Sequence, residues 1–174
     1  MTVDPEALFV ANQHRLFRYF LRAVGHSDTA RDLTQDVFLR VSRTAPPEAS
    51  DGEVRAWLFR IARNLALDHY RKRMRQQEVA ASIEESRLPS QDVDLAVNEA
   101  LAALADLDRD VFLMREVAGL GYDEIGRACG LTADAVRSRI HRARLQLRVR
   151  LAAPIATRRT IPMRHSGREP AKRT

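Results

Sequence analysis

The chain has 174 residues, enough for one domain or two small ones, with 45% hydrophobic residues and only 7 glycines and 7 prolines. No window alternates apolar and polar residues in strand fashion, no apolar run reaches membrane-spanning length, and Met1–Leu21 lacks a signal-peptide pattern, so an all-helical cytoplasmic protein is expected. The formal net charge of +6 is strongly segregated: residues 55–75 carry seven Lys and Arg against one Asp, 76–110 nine acids against two bases, and 133–151 six arginines against one aspartate. Segregation of sign bears on function more than the total, because a basic stripe on a helix makes its own local field.

In chain order, Asp4-Pro5 predicts the start of a first helix, with Phe9, Leu16, Phe20 and Val24 at helical spacing and Gly25-His26 as its end. Ser27 or Asp28 can cap a second helix to about Arg43, burying Leu33, Val37 and Val41. Thr44–Gly52, holding Pro46 and Pro47, reads as a loop. A third helix is predicted from about Glu53 to Gln77. Between Glu78 and Asp94 the periodicity fails around Pro89 and acidic residues accumulate, which predicts a flexible acidic linker. Helices resume at Leu95–Leu104, Asp108–Ala118, Tyr122–Ala128 and Thr132–Leu151. Past Pro154 the composition turns to Arg, Pro, Thr and Ser, and a disordered basic tail is expected. The expected architecture is two small helical domains, 1–77 and 95–151, joined by the linker 78–94 and followed by the tail 152–174.

Two segments carry chemistry. YDEIGRACGLTADAVRSRIHRAR, from Tyr122 to Arg144, has the form of a helix-turn-helix: Ile125 and Ala128 give an apolar side, Gly130 the turn, and Thr132 a cap. Val136, Ile140, Ala143 and Leu147 then form a core stripe, which turns Arg137, Ser138, His141, Arg142 and Arg148 outward. Such a face suits the major groove, where Arg pairs bidentately with guanine. In the third helix Leu58, Ala62, Leu65, Ala66 and His69 share an apolar side, and Arg60, Asn64, Asp68, Arg71 and Arg75 a polar one. Arginines can hold phosphates there while Asn64 and Asp68 offer groups that read a base edge. Trp57 reads either as a core anchor or as a platform for an unpaired base. The single cysteine, Cys129, can form no internal disulfide or cysteine-rich zinc site and reads as a small half-buried residue. The scattered histidines, His14, His26, His69, His141 and His165, form no metal-spaced cluster. No phosphate-cradling glycine loop or nucleophile–base pair stands out, so no enzyme activity, metal, cofactor or small-molecule substrate is expected.

Three segments in this order resemble the extracytoplasmic-function sigma factors, compact members of the sigma-70 family of bacterial RNA polymerase. DTARDLTQDVFLRVSR (Asp28–Arg43) is similar to the family's polymerase-docking helix and VRAWLFRIARNLALDHYRKRMR (Val54–Arg75) to its promoter-melting helix. Ala100–Arg144 is similar to its C-terminal DNA-reading domain. The resemblance implies binding to core RNA polymerase through Asp32, Gln35, Asp36, Leu39 and Arg40. It implies contact of Asn64 and Asp68 with the melted non-template strand of the minus-ten element, with Arg60, Arg63 and Arg71 on phosphates and Trp57 nearby. It assigns a flipped base to the Thr44–Arg55 loop, and double-stranded minus-thirty-five DNA to Arg137, Ser138 and Arg142, with His141 beside them. An anti-sigma factor is an implied partner. Leu104-Ala105 stands where the family usually has Leu-Pro, and Asp134-Ala135-Val136 where it usually has Gly-Thr-Val. Two other readings stay open on the residues alone: a homodimeric helix-turn-helix regulator acting without polymerase, and an adaptor that mimics a sigma factor.

Overall fold

The computed structural model describes residues 5–44, 49–79 and 92–152, and these contain seven helices and no strand. They are α1 (Pro5–Val24), α2 (Ser27–Arg43), α3 (Asp51–Val79), α4 (Asp92–Ala102), α5 (Asp106–Glu116), α6 (Tyr122–Cys129) and α7 (Ala133–Ala152). The all-helical expectation holds. The central part of the expected linker, the tail beyond Ala152, the cap at Asp4 and the prolines of the 44–52 loop lie outside the described residues.

Helices α1–α3 form the first group. Gly25 takes a left-handed φ of +78° and its N–H closes on the Leu21 carbonyl, so the chain can reverse between α1 and α2 where a side chain would be strained. The expected stripe is present, but Leu16 and Phe20 are fully buried whereas Phe9 and Val24 lie at its margin. Phe9 meets Phe38 of α2 edge-on at 4.4 Å between ring centres, and Tyr19 meets Phe59 of α3 in the same manner at 5.7 Å. The second helix departs from expectation at its start: the capping position is His26, which makes no side-chain cap bond, while Asp28 pairs with Arg31 on the surface. α3 begins at Asp51, ahead of the expected Glu53, where the Glu53 carboxylate reaches back to cap Ser50. The Ser50 N–H and hydroxyl both donate to Glu53 Oε2, at 3.0 and 2.8 Å, and these bonds hold the Glu53 carboxyl below its ordinary pKa. The Thr44–Arg55 segment assigned to a loop is therefore helical from Asp51 onward.

Helices α4–α7 form the second group. The α7 stripe of Val136, Ile140, Ala143 and Leu147 is buried throughout, against Val111, Leu113 and Met114 of α5 and Ile125 of α6. Gly130 caps α6 at φ +70°, and the Ala135 N–H donates to Thr132 Oγ1 at 3.2 Å, as the helix-turn-helix pattern requires. Gly126 matters for a different reason: a Cβ there would lie 2.6 Å from the Leu131 carbonyl oxygen, so only glycine lets the turn fold back onto α6. The two groups do not stand apart. α3 lies along α6, α1 touches α5, and the buried side chains of both groups form one continuous core.

Candidate nucleic-acid and polymerase interface

Three faces present the residues that the sequence singles out. On α2, the buried positions Leu33, Val37 and Val41 turn Asp32, Gln35, Asp36, Leu39 and Arg40 to solvent as one patch. Leu39 is 54% exposed, a large apolar side chain between charged neighbours. Helical spacing explains most of the grouping: Asp32, Gln35 and Leu39 lie opposite the core stripe, with Asp36 and Arg40 at its flank.

On α7 the expected face is intact. Arg137, Ser138, His141 and Arg142 are all exposed and adjacent. Arg137 pairs with Asp134 one turn before it and lies 5.1 Å over the Tyr122 ring. Asp134 is 89% exposed, so this pair is a surface contact that an incoming phosphate or guanine can replace at little cost. Beneath the face sits Asp108 of α5, only 6% exposed. It accepts from Arg139 at 2.6 Å and lies 3.9 Å from Arg142, which orients the recognition helix from below. Arg144 is tied to Glu116 of α5. For Asp108 the available signal is its place among buried neighbours in DRDVFLM.

The α3 face divides in two. Asn64, Asp68 and Arg71 are exposed together, with Arg71 only loosely paired to Asp68 at 3.8 Å. Leu58, Ala62 and Leu65 are buried as expected, and Ala66 and His69 are half-buried. Burial is the main cause of a lowered His69 pKa, aided by the charges of Arg73 and Lys72. Trp57 is half-buried and packs against the core, which favours the anchor reading over the stacking one. Arg60 and Arg63 are drawn away from that face. Arg63 donates to Asp110 of α5 at 2.9 Å, with the two side chains 22% and 4% exposed. Arg60 reaches the Arg127 carbonyl of α6 at 3.4 Å. One turn earlier, Arg55 grips Glu124 of α6 through both Nε and Nη2, at 2.8 and 2.7 Å. Glu124 also accepts the Gly121 N–H at 2.6 Å, capping α6 with its other oxygen. Burial pushes the Asp110 carboxyl above its ordinary pKa despite the opposing pull of Arg63. Arg55, Asp110 and Glu124 were not legible as a group, since each partner lies 47 or 69 residues from its arginine.

Cys129 is half-buried beside Met114, and burial raises its thiol pKa to about 11, so the small-residue reading of this side chain holds. Among the described residues no His, Cys, Asp and Glu group could hold a metal ion, and no helix is long and apolar enough to cross a membrane.

Comparison with known proteins agrees with this geometry. Residues 8–76 match Sigma-70 region 2 and residues 94–147 match Sigma-70, region 4, so the chain belongs to the sigma-70 family. Among its relatives is the ECF RNA polymerase sigma factor SigE of Mycolicibacterium smegmatis, 35% identical over 156 residues, spanning 82% of this chain and 60% of that protein's length. The ECF RNA polymerase sigma factor SigL of Mycobacterium tuberculosis is 32% identical over 161 residues, covering 83% of this chain and 87% of the relative. Two solved structures share the fold. One is the sigma factor RpoE in complex with the anti-sigma factor NepR from Bartonella quintana, with a TM-score of 0.65 at 23% identity over 84% of this chain and 95% of that one. The other is CnrH in complex with the cytosolic domain of CnrY, with a TM-score of 0.66 at 26% identity over 84% and 86%. Within the family the chain is an ECF sigma factor, a transcription initiation factor that works with RNA polymerase on promoter DNA.

Proposed function

We infer a division of labour among the three faces. The α2 patch of Asp32, Gln35, Asp36, Leu39 and Arg40 docks on core RNA polymerase. Asn64, Asp68 and Arg71 of α3, with Arg60 and Arg63 once released, hold the melted non-template strand of the minus-ten element, and Trp57 stiffens that helix. Arg137, Ser138, His141 and Arg142 of α7 read the minus-thirty-five duplex. Residues 1–77 and 95–151 are the two working domains, and 78–94 is the tether between them. The observation that carries this reading is the exposure of all three faces on helices whose other sides are buried in one core.

Opening is then driven by binding energy rather than by chemistry at a catalytic centre: capture of an unpaired base offsets the few kcal/mol of unstacking. The protein acts in the cytoplasm as a non-enzymatic subunit. A cognate anti-sigma factor is its expected inhibitor, a partner of the kind present in the RpoE–NepR complex that shares this fold. Run-off transcription with purified core polymerase on randomised promoters tests the reading. Core-dependent initiation at a two-part element is expected. A chain that fails to associate with core, or that alone binds a palindromic duplex tightly, would instead be a dimeric regulator.

A further inference from the structure

A cavity of about 140 Å³ lies where the end of α1 meets α3, α4 and the first turns of α5. Three arginines line it, Arg22, Arg73 and Arg109, against one carboxylate, Asp110. That carboxylate accepts from Arg63 at 2.9 Å, so its charge is already matched from outside the cavity. The carbonyls that end α1 add only a fraction of a negative charge. The wall is therefore positive on balance. His69, another lining residue, registers the sign: after burial, the charges of Arg73, Lys72 and His26 are what lower its pKa. Two buried polar atoms of lining residues, Asn98 Oδ1 and Arg109 Nε, have no hydrogen-bond partner among the described residues. The Arg109 side chain is only 12% exposed. Its Nη2 donates to Asp106 at 3.1 Å and its guanidinium lies 5.7 Å over the Tyr70 ring, which fixes the group while Nε is left over. Unmet polar groups of this kind are costly when buried, and these two have opposite needs: Nε requires an acceptor and Oδ1 a donor.

We propose that this cavity is a binding site for free inorganic phosphate, with Arg22, Arg73 and Arg109 supplying the charge and Asn98 the selectivity. Hydrogenphosphate meets both unmatched groups at once. A bare oxygen of the ion accepts from Arg109 Nε, and its P–OH donates to Asn98 Oδ1. The other oxygens are left for the guanidinium groups of Arg22 and Arg73. Sulfate has the same shape and charge but carries no proton at neutral pH, so it would set an oxygen against Oδ1. The volume is several times the ~10–15 Å³ that one water needs, which leaves room for the ion and part of its hydration. None of the lining residues belongs to the three faces assigned above to polymerase and promoter, so this is a separate site.

Isothermal titration calorimetry of the full chain with sodium phosphate, sodium sulfate and methyl phosphate, at fixed ionic strength, tests the site. One phosphate per chain is expected, bound roughly tenfold more tightly than sulfate, the effect of one hydrogen bond to a charged group. Methyl phosphate at about pH 8 is a dianion without a P–OH and should behave like sulfate. R109Q should weaken phosphate binding by roughly tenfold or more. N98A should abolish the preference for phosphate over sulfate while leaving sulfate affinity unchanged. R142A, at an exposed arginine of α7 outside the cavity, should change neither. If R109Q does not fold, as circular dichroism would reveal, N98A decides, because its readout is a ratio of two anions on one protein. Binding of neither anion, equal affinity of wild type for both, or a preference that survives N98A would overturn the site. So would a loss in R142A as large as that in R109Q, which would reduce the binding to general attraction by surface arginines. Tighter binding of methyl phosphate than of phosphate would overturn the choice of the free ion in favour of a phosphorylated small molecule.

Discussion

Helices α3 and α7 have nearly the same recipe, arginines on one face over an apolar stripe, yet the structure treats them differently. The arginines of α7 meet acids of their own half: Arg137 meets Asp134 one turn away, and Arg139 and Arg144 meet Asp108 and Glu116 of the neighbouring α5. Those contacts brace the helix and leave its outer face open. Arg55 and Arg63 of α3 meet acids from the opposite half, and of these pairs Arg63–Asp110 is the buried one, with side chains 22% and 4% exposed. An exposed ion pair contributes little and yields readily, whereas breaking a buried one by removing a partner leaves an uncompensated charge. A count of arginines thus identifies a nucleic-acid surface without revealing which of its charges are at liberty.

The largest effect should come from R137A together with R142A. Each bidentate contact is worth ~1–3 kcal/mol of discrimination, so promoter-directed run-off transcription should fall by tens- to thousands-fold. The melting temperature should barely move, since both side chains are exposed. Unchanged transcription would show that α7 is a braced surface helix and nothing more. Next is G126A, which drives a Cβ into the Leu131 carbonyl. Relief of that overlap should cost ~1–3 kcal/mol, about 2–12 °C in calorimetry, and tilt α7 off its seat. The comparison on α3 itself is smaller. R63A strands Asp110 and should destabilise the closed chain by ~1–2 kcal/mol, whereas R71A should stay within ~0.5 kcal/mol. Equal values in urea unfolding would erase the distinction between the two arginines.

The smallest effect concerns His69. Its folded-state pKa is depressed, chiefly by burial, so the unfolded chain binds the proton more readily and this contribution to stability is lost as pH falls through the ordinary histidine range. Replacement by glutamine should flatten the melting-temperature profile between pH 7.5 and 5.5 by less than about 2 °C, because solvent screens a partly exposed group. A steeper profile in the variant would reverse the assigned sign.

Helical periodicity made much of the fold legible. The stripes Leu33, Val37, Val41 and Val136, Ile140, Ala143, Leu147 were each readable in one short window, and with them the outward faces of α2 and α7. Even the turn at Gly130 and the cap at Thr132 follow from local backbone demands. Helix starts were less legible. The second helix begins without the expected side-chain cap, and the third gains two residues where Glu53 reaches back to Ser50.

The amino-acid order alone settled which apolar residues of α2 and α7 face inward, because an i, i+4 repeat acts over a few residues and needs no partner to be recognised. Only the tertiary structure decided whom the outward charges meet. Asp110 looks like any helix acid until α3 is laid along α6 and Arg63 arrives from 47 residues away. Coulomb attraction depends on separation in space and on how much water is left between the charges, and neither quantity is written into local spacing.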